Sequence, residues 1–142
     1  MSTTPVPVAL RRRVAAQAQH RCGYCLTPEE LTGAAMEVEH IIPEALGGQS
    51  VEENLWLSCR RCNSYKSSRT HTADPLAGEP VPLLNPRMQQ WDDHFVWSHD
   101  GTRIIGTTPT GRATVQALRM NDDLIVKARE RWVQGGWWPP AS

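Results

Sequence analysis

The sequence predicts an α+β fold. A small strand–loop–strand–helix unit is closed at its base by four cysteines, preceded by a helix and followed by a hairpin and two further helices. Three observations predict it. The cysteines fall as two pairs, Cys22-Gly-Tyr-Cys25 and Cys59-Arg-Arg-Cys62. Between them, two short apolar alternations are separated by Pro43 and Gly47-Gly48. Beyond residue 90, hairpin and then helix signals follow in turn. With 142 residues, 39% of them apolar and 21% charged, the chain suits one domain with an extension and is too apolar for wholesale disorder. Eleven prolines and ten glycines argue against a plain helical bundle. No run approaches the roughly 20 apolar residues of a membrane span. The first seven residues lack a basic flank followed by an apolar run, so the expectation is a soluble, cytoplasmic protein.

The elements follow from local signals. Pro7–Gln19 reads as a helix, with Val8, Val14, Ala15 and Ala18 facing inwards and Arg11, Arg12 and Arg13 in water. Met36 to His40 alternates as a first strand, Pro43 and Gly47-Gly48 make a loop, and Leu55-Trp56-Leu57 forms a second strand leading to Cys59. The run Asn63–Thr70 suits a helix beginning near Asn63. Asp74–Pro86 is a proline-punctuated connection lying across the surface. Phe95–Trp97 and Arg103–Ile105 then form a hairpin, with Asp100-Gly101 as its turn. Thr108 caps a helix that has Pro109 at its first position and runs to Met120. Asn121-Asp-Asp starts another that runs to Val133 and is stopped by Gly135-Gly136. Trp91, Trp97, Trp132, Trp137 and Trp138, with Ile104, Ile105, Leu118, Leu124 and Val126, are expected to form a compact core. The domain boundaries are 1–21 for the N-terminal helix, 22–71 for the cysteine-closed unit and 72–142 for an extension packing on it.

The cysteine spacing demands a metal. Two residues between thiols let each pair turn back onto one ion, and Gly23 is expected to supply the backbone freedom of such a knuckle. In a chain without a secretory signal this pattern reads as a structural zinc site, not as disulfides. The 33 residues between the pairs exceed the roughly 15–20 of an ordinary four-cysteine module. The intervening segment is therefore a structural unit of its own.

Charge is segregated although the total is neutral, with fifteen bases against fifteen acids. Residues 1–25 carry four arginines and no acid. Residues 26–54 carry seven glutamates and no base. Residues 55–72 carry Arg60, Arg61, Lys66 and Arg69 and no acid. Two basic blocks brought together by folding would suit phosphate; the alternative is a set of solvated surface charges.

The segment inside the cysteine pairs resembles a known family. Glu39-His40-Ile-Ile-Pro43, Gly47-Gly48, Glu53-Asn54-Leu55 and Cys59-Arg-Arg-Cys62-Asn63-Ser-Tyr-Lys66 are similar to the HNH endonuclease motif, in its zinc-bearing variety with two cysteine pairs. The likeness covers about residues 22–71 and implies the ββα-metal fold and hydrolysis of double-stranded DNA with one divalent cation, Mg²⁺ or another. It implies His40 as general base, Asn54 as the brace that orients it, and Glu39 and Asn63 as oxygen ligands of the catalytic cation. Cys22, Cys25, Cys59 and Cys62 would hold structural Zn²⁺, and Lys66, Arg69, Arg60 and Arg61 would meet nucleic acid. Plain chemistry agrees: a neutral imidazole suits water activation, and hard oxygens suit a hard cation. In a regular strand, however, adjacent Glu39 and His40 point to opposite faces, so both serve one site only if the chain bends before Pro43. Two other readings stay open, a zinc-stabilised nucleic-acid-binding module without catalysis and a zinc-clamped protein-interaction domain.

Overall fold

The structure, a computed structural model, describes residues 5–140; residues 1–4, at the start of the predicted N-terminal segment, lie outside the described residues. The chain divides into two compact units, residues 1–70 with 85–88, and residues 71–84 with 89–142.

The first unit is built on a hairpin. Strand β1 (Glu37–His40) pairs antiparallel with β2 (Leu55–Ser58), Glu37 opposite Ser58 and His40 opposite Leu55. The ladder runs one bond further, from Ile41 N–H to the Asn54 carbonyl at 2.8 Å. Leu55 and Leu57 of β2, Val14 of α1 (Val8–Gln17), Ala18 just beyond that helix and Tyr24 are all buried, and α1 packs on β2. That burial, with Leu26 and Ile41, supplies the hydrophobic drive for the unit. Helix α1 starts after Pro7, and its first turn does not reach the core, since Val8 is exposed. A short helix, α2 (Glu29–Thr32), closes on Gly33 in the left-handed region at φ 71°. Helix α3 (Arg60–Lys66) begins three residues before the expected Asn63, because the Cys59 sulfur accepts the Cys62 N–H and caps it. It ends at Ser67, whose φ of 54° breaks the spiral.

The second unit holds two further hairpins and two helices. The proline-rich stretch is not a featureless connection. β3 (His71–Ala73) pairs with β4 (Pro80–Pro82), a two-stranded edge in which proline's missing donor costs no ladder bond on its outer side. Its turn is organised by the buried Asp74, which the Arg112 guanidinium grips with both arms, at 3.0 and 2.8 Å. β5 (Phe95–Trp97) and β6 (Ile104–Gly106) form the expected hairpin, with Gly101 at φ 76° in its turn. Helix α4 (Pro109–Ala117) is capped by Thr108, which accepts the Gly111 N–H at 3.0 Å, and α5 (Asp123–Gln134) follows Asp122. Gly106 and Gly111 let α4 and β6 touch: a Cβ on Gly106 would stand 2.3 Å from the Arg112 nitrogen.

Trp91, Phe95, Trp97, Trp138 and Trp132 form a chain of ring contacts at 4.9 to 5.4 Å. Three expected core members are outside it: Leu124 is 83% exposed, Trp137 65%, and Ile105 sits on the open face of its hairpin. Ile104, Leu118 and Val126 are buried as expected, and Ala113 and Met120 are buried as well. No helix among the described residues is long and apolar enough to cross a membrane.

Candidate active site and metal centre

The four cysteines converge. One sulfur from each of Cys22, Cys25, Cys59 and Cys62 lies within 4.8 Å of all the others. The Cys25 and Cys59 sulfurs are 3.8 Å apart, the edge of a tetrahedron whose centre is about 2.3 Å from each corner, as for zinc on thiolate. Backbone N–H groups turn onto the sulfurs, Tyr24 to Cys22 at 3.4 Å and Cys62 to Cys59 at 3.3 Å. Crowding sets the thiols against each other. Hydrogen bonds from the other thiols, Cys22 first, hold Cys25 well below the usual thiol range, while burial pushes Cys22 up. Four thiols this close, three of them buried, fit a metal centre. Gly23 has a different task from the one expected. The left-handed residue of the first knuckle is Leu26, at φ 61°, whereas a Cβ on Gly23 would meet the Trp56 ring at 2.3 Å. Its smallness lets the knuckle lie against β2.

A cavity of about 860 Å³ opens along β1 and α3. Glu39, His40 and Asn63 all line it, together with Glu37, Glu44, Arg11 and Arg60. The strand alternation therefore does not separate Glu39 from His40. β1 ends at His40, and both residues are buried at its last two positions.

Asn54 stands behind this cavity and does not line it. Its Oδ1 accepts the Ile42 N–H at 2.8 Å, and its Nδ2 donates to the carbonyls of Ile42 and Gln49, each at 3.0 Å. One side chain thus closes the loop 42–49. Gly47, at φ 90°, and Gly48 make the closure possible: a Cβ on Gly48 would stand 1.7 Å from the Ile42 carbonyl oxygen.

His40 is held at one nitrogen. Its Nε2 lies 2.8 Å from the Ser50 hydroxyl and 3.3 Å from Glu44 Oε1. Asn63 projects from the middle of α3, and its amide nitrogen donates to Glu37 at 2.8 Å. The oxygen is then the atom it can offer a cation. Glu39 is 3% exposed; one oxygen accepts the Tyr24 hydroxyl, and the other, Oε2, has no hydrogen-bond partner among the described residues. Burial raises its carboxyl above the usual range, against the pull of Lys66 and Tyr24. That oxygen faces the Lys66 ammonium at 3.6 Å, so Glu39 stands on the cavity wall as one half of a buried ion pair.

The basic residues divide. Lys66, at 2% exposure, points inward: its ammonium lies 3.6 Å from Glu39 Oε2 and donates to the Ile41 carbonyl at 3.0 Å and the His40 carbonyl at 3.5 Å. It ties α3 to the end of β1, and no phosphate can reach it in this arrangement. Arg69 donates to the carbonyls of Tyr65 and Lys66 and finishes α3, with an exposed position. Arg61 lies over the Tyr65 ring at 5.2 Å. Arg60 is exposed and lines the cavity, as does Arg11 of α1. Glu37, Glu44 and Ser50 were not singled out from the sequence, and Arg11 was read there only as one of three arginines on the solvent side of its helix. Only the position of Glu44, four residues after His40, offered a signal.

Residues 22–69 match the model of a family described as HNH endonuclease. A Septu protein PtuB from Bacillus thuringiensis is 29% identical to this chain over 113 residues, which is 78% of the chain and 40% of that protein. The chain thus spans well under half the length of this relative. No solved structure matches the chain.

Proposed function

We propose, on the premise that residues 22–69 form an HNH endonuclease domain, that this chain hydrolyses phosphodiester bonds of double-stranded DNA with His40 as general base. The observation that carries the reading is that His40, Glu39 and Asn63, from a strand end and a helix, line one cavity with two arginines beside them. An imidazole, a carboxylate and an amide oxygen around one space are what metal-assisted hydrolysis needs. A pure nucleic-acid binder has no need of a base among oxygen ligands.

In this reading Glu39 and Asn63 hold Mg²⁺ or another divalent cation, and the four thiolates hold structural Zn²⁺. When bound, the hard cation supplies positive charge to the phosphoryl oxygen and the departing 3′-oxygen. The protein's own part is to place the His40 nitrogen for proton removal from water, with the loop behind it fixed by Asn54. Arg60 and Arg11 neutralise the flanking phosphates.

Cleavage of supercoiled plasmid tests the proposal. Zinc-loaded protein is expected to nick or linearise plasmid with Mg²⁺ or Mn²⁺ and to leave it intact without them. His40→Ala is expected to lose at least about 100-fold in rate, with DNA affinity within about twofold and an unchanged circular dichroism spectrum. DNA binding without cleavage under any metal would favour the non-catalytic binding module. Neither binding nor cleavage would favour an interaction domain.

A further inference from the structure

An imidazole can act as base at only one nitrogen at a time, and the groups around the other decide which. Two groups crowd Nε2 of His40, the Ser50 hydroxyl at 2.8 Å and the Glu44 carboxylate at 3.3 Å. A carboxylate has no proton to give, so a bare Nε2 lone pair facing Glu44 would be repelled. A hydroxyl can accept as well as donate, and therefore conforms to whichever tautomer the carboxylate selects. The pair accordingly stabilises the form with a proton on Nε2, which leaves the Nδ1 lone pair for chemistry. His40 lines the cavity while its side chain is only 5% exposed, so the ring has little freedom to turn over.

We propose that Glu44 and Ser50 are positioning residues that hold His40 in its Nε2–H tautomer and make Nδ1 the nitrogen that removes the proton from water. The inference rests on His40 as general base and adds the device that orients it. Glu44 and Ser50 flank the two stretches of loop that Asn54 clamps, at Ile42 and Gln49. Glu44 also begins the single 3-10 turn that Gly47 ends. The asparagine thus acts on the base through the loop, without touching it. Proton transfer balances simply: water gives a proton to Nδ1, the imidazole becomes imidazolium, and Glu44 faces the resulting charge.

Two measurements decide it. Nitrogen NMR of zinc-loaded protein, with no Mg²⁺ or Mn²⁺ added, reads the His40 tautomer directly and needs no cleavage. Protonated Nε2 with unprotonated Nδ1 is expected, and the opposite assignment overturns the proposal. In the cleavage assay, Glu44→Gln presents an amide that can donate to Nε2 and select the wrong tautomer. A fall in kcat of at least about tenfold with KM within about twofold is expected, and Glu44→Asp should recover part of it. A Glu44→Gln kcat within twofold of the parent overturns the positioning role. If the parent protein cleaves nothing, the nuclease reading fails with it and the base assignment is overturned, whereas an NMR tautomer as expected with an unaffected Glu44→Gln kcat sinks only the device.

Discussion

Replacing Lys66 with methionine separates two roles that the sequence alone leaves together. As a surface phosphate contact, Lys66→Met would change stability by within about 0.5 kcal/mol and lower the salt dependence of DNA binding by about one ion. The structure places the ammonium 3.6 Å from Glu39 and 3.0 Å from the Ile41 carbonyl, both inside the unit. Methionine fills the volume but leaves a buried carboxylate without its cation, which costs about 3–5 kcal/mol when one member of a buried pair is removed. The lost charge-assisted bond to Ile41, about 1.5–3 kcal/mol, is part of that figure. Against a typical domain stability of about 5–15 kcal/mol the loss is large enough to read. The assay is urea unfolding of zinc-loaded protein, followed by the fluorescence of Trp56, the one tryptophan of the first unit. Adding Glu39→Gln keeps an acceptor for the Tyr24 hydroxyl and removes the stranded charge, so the double variant should regain about 1–3 kcal/mol. A Lys66→Met loss under about 1 kcal/mol, or a double variant no more stable than the single, would refute the buried-anchor reasoning.

Three further outcomes follow from the same geometry. Chelation of the thiol-bound metal removes a contribution on the order of 10–16 kcal/mol, so amide exchange should open residues 22–70 while the second unit stays protected; equal opening of both units would refute the separation. Asp74, gripped by Arg112, is held down to about 2. Its folded value lies below the unfolded value of about 3.9, so its stabilisation is complete above about pH 4–5 and is lost as pH falls from about 4 towards 2. Urea midpoints of the second unit should drop in that window and drop less in Asp74→Asn, the remainder coming from Asp100, which Thr102 and Ser98 also hold at about 2. His40→Ala, finally, should lower cleavage by at least about 100-fold without loosening the fold, since the contacts of the ring are polar ones to Ser50 and Glu44.

Local signals were legible because their causes are local. The Thr108-Pro109 helix start and the Asp100-Gly101 turn depend on residues a few positions apart, and both stand where expected. The paired cysteines were legible because four thiols that converge on one point leave a spacing in the chain. What was hidden depends on partners far away. Lys66 reads as a solvated helix charge until Glu39, 27 residues earlier, is folded beside it. β3 and β4 read as a connection because three prolines mask a pairing organised by Arg112, 38 residues from Asp74. Leu124 and Trp137 read as core because hydrophobicity predicts burial in one direction only. Gly23 and Gly48 looked like flexible joints, yet each is a place where another group comes too close for a Cβ.

The charge pattern shows the same division at the level of the site. The glutamate-rich block 26–54 supplies Glu37, Glu39 and Glu44 to one cavity, which by itself repels a phosphodiester. Lys66 answers Glu39 from inside and is unavailable to a substrate. That leaves Arg11 and Arg60, one from each flanking basic block, as the arginines on the cavity wall. In the proposed reading, a space with three carboxylates and two arginines favours a phosphate only when a dication joins it, and binding of metal and substrate there would be coupled. The sequence-level neutrality of the chain is thus the sum of an acidic pocket and basic flanks, and the chemistry proposed for His40 depends on their being brought to one place.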